Sequence, residues 1–595
     1  MKKLSYTLAT FVLAIVLLDT SCNTSETKTE TTVSKDSTNK KWWKEAVVYQ
    51  LYPRSFKDSD GDGVGDLKGI TSQLDYLQSL GIDAIWLNPI CASPNDDNGY
   101  DISDYRAIMK EMGTMADFDE MLAGMKKRNI KLIMDLVLNH SSDEHEWFKG
   151  AKSSRDNKYR NYYHWWPAEK GTPVKRYSLF DENADAWRFD STTNSYYLHY
   201  FSRKQPDLNW ENPALRNEMY DIMKFWLDKG VSGFRLDAFP FMAKDTSWPA
   251  MPNNFTNEQF IRYYGADPKV HDYLKEMNEK VLSKYGDVYT VGEGGVIPFS
   301  KAMDFVSEER NEINTLYHDE IANAWGRDSF DAGDYKVGRN NVMGIKTIVS
   351  KWNDKFIDNG WTSLFLTNHD QSRSVSKFGN DAPQFRDASA KMLHTFLMTQ
   401  KATLYLYNGD EIGMTNIRFK KIEQYNDLQA RNVYNIMLKE SKEKAAAYLA
   451  YQQELGRDNS RTPMQWDNTA NAGFTIGKPW LPINENYTTT NVKAEDADSN
   501  SVLNYIRKMV KLRKDNKDVL VYGKYELLDK DNPNVYAYTR EGGGKKFLIL
   551  LNFTAKEAAL NTGIDISKAK TLINNYGDAV GNTLKPYQAA VLEAP

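Results

Sequence analysis

Eight short β-type runs, separated by stretches of helical period, constrain this chain more than any other feature. Seven are nearly continuous in apolar residues: Ala46-Val47-Val48-Tyr49, Ala84-Ile85-Trp86-Leu87, Leu132 to Val137, Gly233-Phe234-Arg235-Leu236, Tyr289-Thr290-Val291, Ser363-Leu364-Phe365-Leu366 and Ala402 to Leu406. Asn314-Thr315-Leu316-Tyr317 is a weakly marked eighth. Such runs fit parallel strands covered on both faces. Eight of them close a (β/α)8 barrel, whose active site lies at the C-terminal ends of the strands. The expected fold class is therefore α/β, a TIM barrel. Polar residues should collect where each strand gives way to a loop, and Asn139-His140, Asp237, Glu293, His369-Asp370 and Asp410-Glu411 occupy those places.

Two other segments depart from the barrel pattern. A long stretch at 141–209 follows the third run and is crowded with aromatic residues, as in His164-Trp165-Trp166 and Tyr196 to Phe201. Loops of that length are functional or form a small domain, so it reads as an inserted domain between barrel parts 42–140 and 210–516. After a last helix near Ser501 to Asn516, strands alternate with Asp, Asn and Gly turns (Val535 to Tyr538, Phe547 to Leu551). The expectation is a C-terminal antiparallel β domain over 517–595.

The first residues read as an address. Met1-Lys2-Lys3 is positive and Leu4 to Leu18 is largely apolar, too short for a bilayer span of about 20 residues. A signal peptide is expected over 1–21. Cys22 follows, and 22–41 is rich in Thr, Ser, Lys and Glu with little to bury, a disordered tether. The pattern predicts an exported lipoprotein, periplasmic or outer-membrane-associated, cut before and anchored through Cys22. Asp19 departs from the apolar residue usual at such processing sites, which keeps simple secretion as the alternative. Two cysteines, Cys22 and Cys91, cannot build a disulfide framework. With 76 Lys+Arg against 80 Asp+Glu there is no basic excess for nucleic acid. The 15 Trp and 35 Tyr supply flat stacking surfaces as well as core.

Three acids, Asp237, Glu293 and Asp370, fall at three strand ends, so a closed barrel points them at one mouth. Hydrolysing a glycosidic bond needs two carboxyls, one to attack or support the anomeric carbon and one, protonated, to donate to the leaving oxygen. Arg235 and Asp237 are two apart on a strand and share a face, where the cation is expected to lower the carboxylate's pKa. Asp237 is thus the nucleophile candidate. Glu293 has no cation beside it in sequence, and a nearby anion would raise its pKa toward that of a working acid. It is the candidate acid/base. Singly, an Arg-x-Asp strand is more often a structural ion pair and a Glu after a strand a solvated rim; joint placement is what points to chemistry.

Four ordered segments, Asp135 to His140, Gly233 to Asp237, Glu293 after Val291-Gly292, and Phe365 to Asp370, resemble the signature segments of the α-amylase superfamily, glycoside hydrolase family 13. Gln205-Pro206-Asp207-Leu208-Asn209 resembles a fifth, in the form of the α-glucosidase and oligo-1,6-glucosidase branch. The resemblance runs from about Trp42 into the C-terminal domain. It implies a retaining mechanism in which Asp237 forms the glycosyl-enzyme, Glu293 serves as acid then base, and Asp370 holds ring hydroxyls. It also implies sugar contacts from His140, His369 and Arg235. Asp97 to Asp101 and Arg457 to Trp466 resemble segments in which an Asp and an Arg, here Asp97 and Arg461, pair to grip the non-reducing end while Tyr100 stacks on the ring and Phe201 lines the pocket. Such a closed pocket implies exo action on short malto-oligosaccharides, releasing glucose.

In that branch Ala after the nucleophile accompanies α-1,4 cleavage and Val α-1,6 cleavage, so Ala238 favours maltose-like substrates. An oligo-1,6-glucosidase is the alternative. Ser372 and Gly294-Gly295 depart from the family text on the leaving-group side and weaken the specificity reading. A glucosyl transferase or sugar isomerase on the same scaffold is a rival, disfavoured because no Arg-rich run follows Gln371. A non-catalytic carbohydrate-binding barrel is a rival of another class, disfavoured by the three acids together.

Asp58-Ser59-Asp60-Gly61-Asp62-Gly63-Val64-Gly65-Asp66 places oxygen donors at alternate positions around tight glycine turns, as hard cations require. It opens like an EF-hand loop, but Gly69 stands where the bidentate Glu would be and a strand precedes it. A solvated Asp-Gly turn is the plain alternative. The resemblance implies a structural Ca²⁺ or Mg²⁺ held by Asp58, Asp60, Asp62, the Val64 carbonyl and Asp66.

Overall fold

The computed structural model describes residues 40–251, 263–265, 268–324, 341–356 and 359–595. The expected signal peptide, Cys22 and nearly all of the tether lie outside the described residues. No helix among the described residues is long and apolar enough to cross a membrane.

Eight parallel strands close a barrel: β1 Val47–Leu51, β2 Ala84–Leu87, β3 Lys131–Val137, β4 Gly233–Asp237, β5 Tyr289–Glu293, β6 Thr315–Tyr317, β7 Thr362–Leu364 and β8 Thr403–Tyr407. Each lies beside its sequence neighbours and β8 returns to β1, so the runs predicted from sequence, including the weakly marked eighth, are the strands. Side chains alternate across each strand. One set, including Val48, Ala84, Trp86, Ile133, Tyr289, Val291, Tyr317 and Tyr405, fills the bore. The other, including Val47, Leu132, Phe234, Leu236 and Leu404, packs outward beneath the helices.

The approach to β4 shows how local sequence sets this up. Helix Pro213–Lys229 starts at Asn212, whose side chain accepts from Ala214 N, with Pro213 in the first turn where its missing N–H costs nothing. Leu215, Met219, Ile222, Met223 and Trp226 form its buried stripe. Gly230, at φ +106°, ends it in the left-handed conformation and reverses the chain. The strand then opens on Gly233, where a Cβ would stand 2.3 Å from the Tyr289 carbonyl oxygen of β5.

Register decides which groups meet. Asp135 of β3 and Val291 of β5 are both Cα partners of Arg235, while Val137 partners Asp237 and Tyr317 partners Glu293. Asp237 and Glu293 are the next inward positions after Arg235 and Val291, on adjacent strands about 4.8 Å apart.

The insertion leaves β3 and carries helix Glu146–Ser153 and an antiparallel sheet of Trp165–Pro167, Ser195–Leu198 and Trp187–Asp190. Its two ends pair at the neck: Leu208 N donates to Asn139 O at 2.7 Å, and His140 and Asp207 form a bridge. At the other end of the chain, Lys524–Leu528, Val535–Gly542, Lys545–Asn552, Ala589–Glu593 and Lys570–Asn574 form a five-stranded antiparallel sheet. Tyr536, Tyr538, Ile549 and Val591 face the main core, while Val535, Ala537, Leu548 and Leu592 build a separate small core on the other face. The Tyr538 hydroxyl accepts from Gln400 Nε2 at 2.7 Å and pins this sheet to the barrel.

Phe234 is fully buried on the outward face of β4. Phe234→Ala is expected to cost about 3–5 kcal/mol of stability, as loss of a buried aromatic does, read as a fall in the denaturant midpoint.

Candidate active site

The C-terminal mouth of the barrel is organised by one buried guanidinium. Arg235 Nη1 donates to both Asp135 oxygens, at 3.0 and 3.3 Å, and to Asp237 Oδ1. Nη2 lies 3.0 Å from Glu293 Oε2, and Nε donates to the Tyr317 hydroxyl at 3.1 Å. Its face lies over Trp86, 5.2 Å from the ring centroid. Arg suits this position because a planar fork can serve several carboxylates at once.

Two expectations change here. Arg235 was expected to hold Asp237 below the usual carboxylate range; instead burial pushes it well above, opposed by Arg235 and reinforced by the Glu293 and Asp135 carboxyls. The reason is burial, to which the two neighbouring carboxyls add by offsetting the favourable field of Arg235. Asp135 is likewise pushed up, to about 6, by burial against the same cation. Glu293 was expected to lack a cation, yet Arg235 reaches it from the adjacent strand. Access differs, however: the Glu293 side chain is 31% exposed and that of Asp237 10%.

Asp370 sits across the mouth. Its Oδ1 accepts from Arg457 Nη1 at 3.0 Å and Arg461 Nη2 at 2.9 Å, and Oδ2 lies 3.2 Å from His369 Nε2. Burial alone would push this carboxyl up; the surrounding positive charge outweighs it and holds Asp370 far below the usual range. The arginines carry that effect at neutral pH, because burial, chiefly, pushes His369 down to about 3 and leaves it uncharged. Gln50 Nε2 donates to His369 Nδ1 at 2.9 Å, which places the ring proton on Nε2. The Tyr100 ring stacks on His369 at 5.4 Å, and its hydroxyl donates to Asp135 Oδ2 at 3.0 Å while accepting from Asn88.

His140 is buried at the neck of the insertion, its ring 4.9 Å from Phe201 and its Nε2 3.2 Å from the Tyr100 carbonyl. Asp97 accepts from Gln205 Nε2 at 3.1 Å. The expected direct pairing of Asp97 with Arg461 is not what forms. Arg461 engages Asp370, the His369 carbonyl and, at 3.6 Å, Asp458. Arginine charge acts on Asp97 through space only, and burial outweighs it to push Asp97 up. Asp370 wins the contact because it offers both arginines one convergent oxygen.

Sequence reasoning missed Arg457 and Asp427. Arg457 Nε and Nη2 grip Asp427 at 2.8 and 2.5 Å while Nη1 holds Asp370. Arg457 stands four residues before Arg461, a spacing that could have raised it; Asp427 lies in another loop and carries no local signal.

In the loop near the start, one carboxylate oxygen from each of Asp58, Asp60 and Asp66 lies within 4.8 Å of the others. Asp62 stands outside this group, its Oδ1 accepting from Val64 N at 2.7 Å. Gly63, at φ +95°, lets the loop pass the Lys478 carbonyl, which a Cβ would meet at 1.9 Å. Three convergent hard oxygens suit Ca²⁺ or Mg²⁺. Cys91 is buried, its Sγ 3.4 Å from the Tyr105 carbonyl oxygen, and burial pushes its thiol to about 12.

Residues 50–523 match the profile of the alpha amylase catalytic domain, and residues 525–591 that of the maltogenic amylase C-terminal domain. An oligo-1,6-glucosidase of Parageobacillus thermoglucosidasius is 47% identical over 561 residues, covering 93% of this chain and 98% of that protein. An alpha-glucosidase of Pediococcus pentosaceus is 43% identical over 559 residues, covering 93% and 99%. Among solved structures, isomaltulose synthase from Klebsiella sp. LX3 aligns with a TM-score of 0.88 at 42% identity, covering 94% of this chain and all of that one.

Burial holds both His140 and His369 down at about 3. Both enter as uncharged hydrogen-bond partners. Because the folded values lie below the ordinary 6.5, these two groups cost no stability above that pH and withdraw it as pH falls from 6.5 toward 3. NMR of the ring Cε1–H resonances should show neither ring protonating between pH 8 and 5; titration of either near 6.5 would contradict the burial argument.

Proposed function

From the premise that the chain belongs to glycoside hydrolase family 13, the α-amylase family, we propose a retaining, exo-acting α-glucosidase that takes glucose from the non-reducing end of short α-1,4-linked oligosaccharides. The single observation that carries this reading is the bridging of Asp237 and Glu293 by Arg235 from adjacent strands. Retention needs the two carboxyls about 5–5.5 Å apart, whereas inversion leaves room for a water between them. Two inward carboxyls on neighbouring strands, served by one guanidinium, favour the shorter gap.

In this reading Asp237 attacks the anomeric carbon as the carboxylate, so a bound sugar must favour its ionised form against the burial that raises it, while Glu293 gives a proton to the leaving oxygen. The better access of Glu293 to solvent suits the group that must exchange protons in each cycle. Water then enters, Glu293 takes its proton, and attack on the glycosyl-enzyme returns glucose with its configuration retained. Asp370, kept ionised by Arg457 and Arg461, accepts from ring hydroxyls as positive charge develops on the sugar. Neutral His140 and His369 orient the same ring, and Tyr100 and Phe201 shape the apolar wall. Asp97 and the two arginines close the pocket behind one sugar, which supports exo action.

Ala238 supports α-1,4 preference. The oligo-1,6-glucosidase names among the relatives favour α-1,6 cleavage as the second reading. Asp58, Asp60 and Asp66 would hold a Ca²⁺ or Mg²⁺ that ties down the first loop and takes no part in the chemistry. Export through 1–21 and anchoring at Cys22 belong to the same proposal, carried by sequence alone.

Purified protein incubated with maltose, isomaltose, trehalose, sucrose and maltodextrins should release α-glucose from maltose fastest. Isomaltose turnover equal to or faster than maltose would overturn the linkage preference, and β-glucose as first product would overturn retention. Asp237→Asn should lower kcat about 10³-fold or more, as removal of a covalent nucleophile does. A chelator should lower the melting midpoint, with restoration by Ca²⁺ or Mg²⁺; an unchanged midpoint would remove the cation from the proposal.

A further inference from the structure

Arg373, three residues beyond Asp370, is fully buried, and its guanidinium ties distant stretches of chain together. Nη1 donates to the Asn408 carbonyl oxygen at 2.7 Å, just past β8, and Nη2 to the Ser460 carbonyl oxygen at 2.8 Å. Its one ion pair among the described residues, with Asp410, is long at 3.9 Å. The close bonds of this cation therefore go to backbone, where a planar fork can serve both carbonyls at once. Ser460 stands in the chain between Arg457 and Arg461, the two arginines that converge on Asp370 Oδ1. Arg461 gives Nε to the His369 carbonyl at 2.8 Å and Nη2 to Asp370, a two-point grip that holds only while its own backbone is fixed. Ser460 Oγ in turn donates to the Arg457 carbonyl at 2.8 Å. At the near end, Arg373 N donates to Asn416 Oδ1 at 2.9 Å, and Ser374 N donates to Thr367 Oγ1 at 3.0 Å, closing the loop that carries Asp370. The contacts make a circuit: along the chain from Asp370 to Arg373, across to Ser460, and back through Arg461 to Asp370.

We propose that Arg373 is a positioning residue for Asp370: by holding the Ser460 carbonyl it sets the backbone from which Arg457 and Arg461 reach Asp370, and so keeps that carboxyl aimed at the ring hydroxyls. The proposal rests on the reading of Asp370 as the group that holds those hydroxyls. Arginine heads stand at the end of long stems, and a misplacement of about 1 Å at a positioning group can cost about 10²-fold in rate. Lysine at 373 would keep the charge but not the fork that fits both carbonyls.

The test is a double-mutant cycle. Wild type, Arg373→Met, Asp370→Asn and the double variant are compared by kcat/KM on α-glucosyl fluoride, each well below its own melting midpoint. Fluoride leaves readily, so slow variants still turn over and linkage preference does not enter. Arg373→Met should lower kcat/KM about 30-fold or more in the wild-type background but less than about threefold in Asp370→Asn. A residue serving the fold alone would impose the same factor in both backgrounds; that result, or full activity in Arg373→Met, overturns the proposal. Arg373→Lys should fall between Met and wild type, and wild-type activity there would mean that charge suffices without the fork, which also overturns it. Should Met not fold, as judged by circular dichroism and the melting midpoint, Lys carries the cycle, with a loss of about fivefold expected in the wild-type background and none in Asp370→Asn. Asp370→Asn alone separates the premise from the inference: turnover as fast as wild type would remove the hydroxyl-holding role and the inference with it, whereas a slow Asp370→Asn with equal Arg373 losses in both backgrounds would remove the inference only.

Discussion

One buried cation shared among three carboxyls, two of them buried, is the interaction on which the mouth of this barrel depends. Arg235 is fully buried and meets Asp135, Asp237 and Glu293 from strands β3, β4 and β5. Taking so many charges out of water is costly, and leaving any one partner alone would cost more. The arrangement is tolerable because register delivers the acids to the guanidinium in the right order, and because Trp86 and Tyr317 cover what remains of it. In the proposed reading, what the cluster gains is geometry: two carboxyls held on adjacent strands by one guanidinium, in a site that would need little reorganisation during reaction.

Across the mouth the balance differs. Asp370 meets two arginines, Arg457 and Arg461, where Asp237 shares a single one, although those arginines also serve Asp427 and Asp458. In the proposed reading, a sugar lying between the two clusters would meet a firmly ionised acceptor for its hydroxyls on one side. On the other it would meet Asp237, raised by burial, beside the more exposed Glu293. The roles follow from this asymmetry more than from the intrinsic chemistry of Asp or Glu, which differ little in water.

Much of this was legible along the chain because strands buried on both faces are apolar throughout and because a barrel places its functional groups just beyond them. Even the faint run at 314–317 could be counted, since eight is the number of strands in a (β/α) barrel and the other seven were already marked. The inward direction of Arg235 and Asp237 followed from a two-residue period. What escaped was everything set by distance in space. Glu293 looked free of cations because its cation is 58 positions away, and Asp237 looked dominated by Arg235 because the other two claimants on that guanidinium were invisible. Asp97 and Arg461 were paired by analogy, while in the fold Arg461 turns to Asp370. Asp427 could not be found at all, for it gains meaning only when Arg457 swings over it.

The neck of the insertion has a wider consequence. Both ends of that segment are fastened to the barrel, through Asn139 with Leu208 and His140 with Asp207, so His140 and Gln205 keep their stations whatever lies between them. The entropy of closing such a loop grows only with the logarithm of its length. The inserted canopy can therefore be trimmed, extended or redecorated over evolutionary time while the acids beneath, bond-breaking in the proposed reading, stay where they are.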